Sequence, residues 1–168
     1  MKYEKLFLEM LRCEKCFSRK EKLLLPGTGN INSDIMFIGE APSKNRDYNL
    51  TFGEKSRPVF ESFLEHCNLT RDSCFITNAI KCIVPKKKVG DIKKCKDFLE
   101  REIEIIDPRV LVLVGKVAIK SVLEKNYKFG TTLNLLNRKV VCIPHPMTVV
   151  YGKYSMTEYI KYAKEVRL

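Results

Sequence analysis

The chain has 168 residues, 45% hydrophobic and 30% charged, enough to build one core without disulfide staples and too apolar for a disordered chain. Its 31 Lys and Arg against 20 Asp and Glu leave a formal charge of +11, which favours nucleic acid as partner over an acidic lipid surface, since no segment reads as a basic amphipathic helix with bulky apolar anchors. The apolar run near the middle, residues 110–114, is far shorter than the roughly 20 residues of a membrane span, and the N-terminal segment carries charges where a secretory signal needs an apolar stretch. A soluble cytoplasmic protein with no membrane contact is expected, and a monomer by default.

In chain order, residues 1–30, ending in Pro26-Gly-Thr-Gly-Asn30, read as an appendage ahead of the first strand. Short apolar runs at 35–38, 74–77, 110–114 and 140–143 read as strands buried on both faces, as in a parallel sheet. Between them, Phe60, Phe63, Leu64 and Cys67 fall at helical spacing, and Ile92, Cys95, Phe98, Leu99, Ile103 and Ile106 keep one face of a longer helix that Asp107-Pro108 ends. Residues 117–123 and 154–166 supply two further helices. The alternation predicts an open α/β sheet with right-handed crossovers in a single domain spanning 1–168. In such a sheet chemistry collects at the carboxyl ends of the strands, here Gly39-Glu-Ala-Pro42, Thr77-Asn78, Gly115 and Pro144-His-Pro146.

Seven cysteines in a reducing compartment read as metal ligands or buried small hydrophobes rather than disulfides. Cys13-x-x-Cys16 is a chelate-sized pair, and Cys82 with Cys95 forms a second. Four thiolates suit a tetrahedral zinc or an iron-sulfur cluster, and the long gap between the pairs disfavours a local zinc finger. Lys15, Arg19, Lys20, Lys81 and Lys94 flank these cysteines and would together help keep thiolates ionised, although any one of them alone reads more simply as part of a solvated face. Cys67, Cys74 and Cys142 occupy apolar periodic positions and are expected in the core.

Taken with Asp34-Ile-Met-Phe-Ile-Gly-Glu-Ala-Pro42, Phe52, Ile76-Thr-Asn-Ala-Ile-Lys-Cys82, Cys95 and His145-Pro146, in that order, the chain resembles the family-4 uracil-DNA glycosylases, the iron-sulfur branch of their superfamily. The resemblance implies a three-layer α/β/α sandwich around a four-stranded parallel sheet. It also implies a [4Fe-4S] cluster on Cys13, Cys16, Cys82 and Cys95 that ties the appendage down without a redox role. The implied activity is hydrolysis of the N-glycosidic bond of uracil flipped out of single- or double-stranded DNA, a repair step that leaves an abasic site and involves no Schiff-base lysine. The alternatives are a non-catalytic iron-sulfur DNA-binding module, a glycosylase of altered base specificity and, more remotely, a zinc-dependent regulator.

Carried over position by position, Phe52 offers a stacking face, Asn78 matches uracil N3–H and O4 with one amide, and His145 donates to O2 as charge builds there. Gly39, Glu40 and Ala41 would line the pocket beside the sugar, with Glu40 orienting the water or balancing the sugar's cationic character and Asp47 positioning the water. Ser43 and Arg46 stand where the family usually has glycine and glutamate, and Gly53-Glu-Lys-Ser-Arg57 replaces a run of small residues. Residues 81–101 hold eight Lys or Arg against three Asp or Glu, and Lys86, Lys87 and Lys88 are expected on phosphates. Tyr151, with Val149 and Val150, lies where relatives place a wedge that fills the gap left by the flipped base.

Overall fold

In the computed structural model of the chain, residues 2–15, 24–42, 51–83 and 89–167 are described, with backbone alone for 89–91. Six strands form one sheet: β1 (Thr28–Gly29), β2 (Ile35–Gly39), β3 (Phe75–Asn78), β4 (Val110–Val114), β5 (Thr132–Leu135) and β6 (Arg138–Ile143), in the order β1-β3-β2-β4-β6-β5. The four expected strands pair in parallel as β3-β2-β4-β6. Two short antiparallel strands extend this sheet, β1 against β3 and β5 against β6. They escape the sequence reading because β1 has two residues and β5 alternates exposed and half-buried positions rather than forming an apolar run.

The four parallel strands are apolar on both faces because each face is covered by helices. Ile35, Phe37, Val110, Val112, Val114, Val141 and Ile143 point into one core layer with Phe60, Phe63, Leu64, Tyr159 and Val166. Their alternating neighbours Met36, Ile38, Leu111, Leu113, Val140 and Cys142 join Leu99, Ile106, Ala118 and Ile119 on the other side. The first set of helical partners comes from α2 (Arg57–His66), α6 (Met156–Ile160) and α7 (Ala163–Val166). The second comes from α3 (Val89–Ile106) and α4 (Lys116–Leu123). A period-2 strand pattern with apolar residues at both phases therefore becomes the expected three-layer sandwich.

The appendage is more structured than an extension. Its α1 (Lys2–Arg12) buries Leu6 and Met10, one turn apart, against Phe98 of α3. The single helix expected at 154–166 is divided: Ser155 and Glu158 form a capping box that starts α6, and the chain turns at residues 161–162 before α7. A short α5 (Met147–Val150) follows the Pro-His-Pro turn. The longer α3 stops at Ile106 as Asp107-Pro108 requires, with Asp107 in the left-handed region at φ 48°. None of the helices among the described residues is long and apolar enough to cross a membrane.

Candidate functional site

The parallel strands deliver their carboxyl ends to one edge, and the order reverses between β2 and β4, the switch point at which open α/β sheets bind ligands. Backbone bonds lash the loops together there. Ala79 N–H donates to Gly39 O and Ile80 N–H to Glu40 O, both at 2.9 Å, while Gly115 N–H reaches Ile143 O at 2.8 Å. A cavity of about 290 Å³ opens at this edge, lined by Ala41, Thr51, Phe52, Asn78, His145 and Tyr151 among others. That is the small end of the range for small-molecule sites, roughly 300–1,000 Å³.

Asn78 ends β3 and is 2% exposed. Its amide Nδ2 donates to Thr51 Oγ1 at 3.0 Å, leaving the other amide hydrogen and Oδ1. Phe52, 6% exposed, packs one side on Phe60 with ring centroids 4.3 Å apart and meets the His145 ring at 5.5 Å. It is thus both a core aromatic and a wall of the cavity. Gly39 sits beneath these two residues and is not itself on the cavity wall: a Cβ there would lie 2.7 Å from Asn78 Oδ1 and 2.9 Å from Phe52 Cζ. The approach explains why the strand ends in glycine.

His145 is half-buried between its two prolines. The Met147 backbone N–H donates to His145 Nδ1 at 3.1 Å. A backbone N–H has only a proton to give, so Nδ1 presents its lone pair and the neutral ring carries its proton on Nε2. The His145 carbonyl in turn accepts from Thr148 N–H and Thr148 Oγ1, at 2.8 and 2.7 Å, which fixes the turn. Gly115, at φ 89°, lets the β4 turn pass beside the histidine, where a Cβ would stand 3.3 Å from His145 Cβ.

Glu40 is half-buried next to the cavity without forming its wall. Tyr151, 72% exposed, stands at the mouth beside Val150. Asp47, Ser43, Arg46 and the Lys86, Lys87, Lys88 run lie outside the described residues. Residues 53–56, in the segment that departs from the family's run of small residues, line the cavity as well, and so do Met147 and Thr51, which the sequence does not mark because a threonine beside an aromatic carries no signal of its own.

Three of the four singled-out cysteines come to one corner, and Cys16 lies outside the described residues. Cys13 follows α1 and packs with Leu24 against Leu6, Met10 and Phe98. Leu24 forms an isolated antiparallel bridge with Cys82, and Cys95 lies one turn before Phe98 on α3. None of the three is in a disulfide, nor are Cys67, Cys74 and Cys142 in the core. Among the described residues no group of three or more His, Cys, Asp or Glu forms a metal site on its own. Of the flanking cations, Lys15 lies over the Phe98 ring, 4.9 Å from its centroid. Lys81 departs from expectation: it is buried and donates to Thr77 Oγ1 at 2.9 Å and Glu102 Oε2 at 2.5 Å. Its charge is matched by Glu102.

A switch-point cavity holding an aromatic wall, a bidentate amide and an Nε2–H histidine defines a pocket for a small planar ring with polar edges. Residues 26–166 match the family model "Uracil DNA glycosylase superfamily". The type-4 uracil-DNA glycosylase of Archaeoglobus fulgidus is 30% identical over 90% of this chain and 84% of its own length. That of Saccharolobus solfataricus is 31% identical over 86% and 75%. A type-5 uracil-DNA glycosylase of Pyrobaculum aerophilum is 26% identical over 73% and 65%. The chain belongs to the uracil-DNA glycosylase superfamily and, within it, to the type-4 branch.

Proposed function

We propose that this chain is a monofunctional DNA-repair glycosylase that hydrolyses the bond between deoxyribose and uracil in DNA, leaving an abasic site. The observation that carries the reading is the hydrogen bond from Met147 N–H to His145 Nδ1, which puts the ring proton on Nε2 of a histidine that lines the cavity with Asn78 and Phe52. A base in the cavity stacks on Phe52, and Asn78 gives its remaining amide hydrogen to O4 and accepts N3–H at Oδ1.

As the C1′–N1 bond breaks, its electron pair leaves with the base and spreads onto O2. His145 Nε2–H meets that charge as a fixed donor, in the manner of an oxyanion hole. The sugar becomes cationic at C1′, Glu40 balances it, and water held by Asp47 adds its oxygen there. The proton shed by the water replaces the bond to C1′ on the departing base. Backbone from Gly39 to Ala41 shapes the sugar side. Tyr151 at the cavity mouth fills the stack from which the nucleotide was drawn, and Lys86, Lys87 and Lys88 contact phosphates, so binding falls steeply with salt.

Cys13, Cys16, Cys82 and Cys95 would hold a [4Fe-4S] cluster. Their support is the chemistry of the donors: thiols just after α1, on the strand-like segment after β3 and on α3 come from elements that pack together, and none is in a disulfide. When bound, such a cluster crosslinks these elements and ties the appendage to the domain. DNA is the partner, and the compartment is the cytoplasm, which keeps thiols reduced.

The test is release of free base from uracil-containing oligonucleotides, single-stranded and as U·A and G·U pairs. Release by the wild type that falls about a hundredfold or more in both Asn78→Ala and His145→Ala is the expected result. Wild-type rates in both variants would sink the pocket assignment, and salt-sensitive DNA binding with no release from any uracil substrate would sink the glycosylase reading.

A further inference from the structure

Arg71 lies outside the cavity, in the 3-10 turn of residues 71–73 that leads into β3. Its guanidinium is nonetheless committed to the cavity wall. Nη1 donates to Thr51 O at 2.9 Å and Nη2 to Phe52 O at 3.3 Å, while Nε donates to Glu61 Oε1 of α2 at 2.5 Å. The same group lies over the Phe60 ring, 5.2 Å from its centroid, and Phe60 is the ring on which Phe52 packs. Three N–H groups, one carboxylate and one aromatic face thus hold one planar fork in a single orientation.

The wall needs such a hold. Phe52 has φ 56° and Glu54 φ 44°, the left-handed region that a residue with a Cβ avoids. A strained loop relaxes unless its surroundings over-determine it, and strain of this kind gathers at functional sites. Thr51, 2% exposed, shares the clamp and also carries the hydroxyl that accepts from Asn78 Nδ2.

We infer that Arg71, braced by Glu61, is the positioning residue of the base pocket, and that Thr51 relays its hold to the base-reading amide. The clamp aims the Phe52 ring through its carbonyl. Through Thr51 Oγ1 it keeps Asn78 Nδ2 on one side, so the pocket offers an acceptor to N3–H and a donor to O4. Cytosine presents the opposite pattern, a bare N3 beside an amino group, and an amide held this way rejects it. The inference rests on the proposed roles of Phe52 and Asn78.

The experiment compares Thr51→Val, Thr51→Ser, Arg71→Lys and Asn78→Ala in single-turnover uracil release, inhibition by free uracil, binding of abasic-site DNA and thermal stability. Thr51→Val should slow release about tenfold, the loss of one neutral hydrogen bond, and weaken free-uracil inhibition to match, with abasic-DNA binding unchanged. Thr51→Ser should restore both. Arg71→Lys keeps the charge for Glu61 but lacks the fork that spans two carbonyls, and should slow release by up to about a hundredfold in a folded protein. Wild-type release in Thr51→Val and Arg71→Lys, with Asn78→Ala inactive, would overturn the positioning role and leave the pocket reading standing. So would losses in abasic-DNA binding and melting temperature that parallel the loss of release. An active Asn78→Ala would instead remove the pocket reading on which the inference depends.

Discussion

The carboxyl end of β3 supplies two buried polar groups, Asn78 and Lys81, at 2% and 1% exposure, and they face different tasks. Lys81 bonds Thr77 and Glu102, and the Tyr3 hydroxyl donates to Glu102 Oε1 at 3.1 Å with Gly27 O at 3.2 Å as a second acceptor. Burial, with Glu102 beside it, holds the Tyr3 hydroxyl far above its ordinary titration range, so it remains a proton donor at any physiological pH. This network joins α1, the Pro-Gly turn, β3 and α3, and its groups answer one another. Asn78 commits one amide hydrogen to Thr51 and turns the rest of its amide to an open cavity. A closed network secures structure, whereas an incomplete one awaits a ligand.

The contrast is sharpest when each network is broken. Lys81→Met leaves the Glu102 carboxylate buried without its cation and should destabilise the protein by about 3–5 kcal/mol, a fall of roughly 10 °C in melting temperature for a chain of this size. The double variant Lys81→Met/Glu102→Leu should recover most of that, since the second change removes the stranded charge. Thermal melts of the two variants decide it: a double variant no better than the single would mean that packing, not pairing, holds this corner.

Gly39→Ala probes the other network and should reverse the pattern. The added methyl would come 2.7 Å from Asn78 Oδ1 and 2.9 Å from Phe52 Cζ, and neither neighbour is free to retreat, since Thr51 holds the amide and Phe60 backs the ring. Uracil release should fall about a hundredfold from the displacement of two base contacts. The melting temperature should move far less than in Lys81→Met. Retained release would show that the cavity tolerates a shift of its reader, contrary to a rigid pocket.

Both networks rest on a core whose own titration has a clear sign. Burial pushes the Cys67 and Cys74 thiols up to about 12 and Cys142 to about 11, from an ordinary value of 9.0. Below pH 9 these thiols are protonated in folded and unfolded chains alike, and their contribution to stability is fully present. From pH 9 upward the unfolded chain releases protons that the folded one keeps. Each thiol should then erode stability by up to about 1.4 kcal/mol per pH unit until it ionises in the native state. Burial raises Tyr159 as well, adding to the loss at higher pH. Denaturant melts from pH 8 to 11 should show the decline, with a shallower slope in Cys67→Ala. A slope unchanged by that substitution would mean that the Cys67 thiol does not carry its share.

Much of this molecule is legible in its sequence. β2, β3, β4 and β6 announce themselves because strands buried on both faces have no polar phase, and Phe60, Phe63 and Leu64 repeat at the spacing of the face they bury. Gly39, Phe52, Asn78 and His145 sit at strand ends or in motifs in family order. The clamp was illegible for a physical reason: Arg71 acts through backbone carbonyls, which every residue has, so nothing in the types of Thr51 and Phe52 marks them as its partners. The burial of Lys81 is illegible in the same way, because nothing local marks a lysine as half of a buried pair. Its partners come from Thr77, four residues back, and from Glu102 on α3.

The β5–β6 hairpin shows the same limit at a place neither network reaches. Leu135 pairs with Arg138 across a two-residue loop in which Leu136 and Asn137 have φ 48° and 64°, the positive pair of a type I′ turn. Glycine and asparagine favour that geometry, and leucine does not, so the strand ahead of it gave no turn signal. Leu136 is also 79% exposed and has little packing to lose. Replacing Leu136-Asn137 by Asn-Gly should therefore relieve backbone strain and raise stability by about 1 kcal/mol, or roughly 3 °C, with uracil release unchanged. A lower melting temperature would show that the Leu136 side chain, which lines a shallow apolar pocket with Leu99, Ile103 and Val122, stabilises the hairpin by more than its backbone costs.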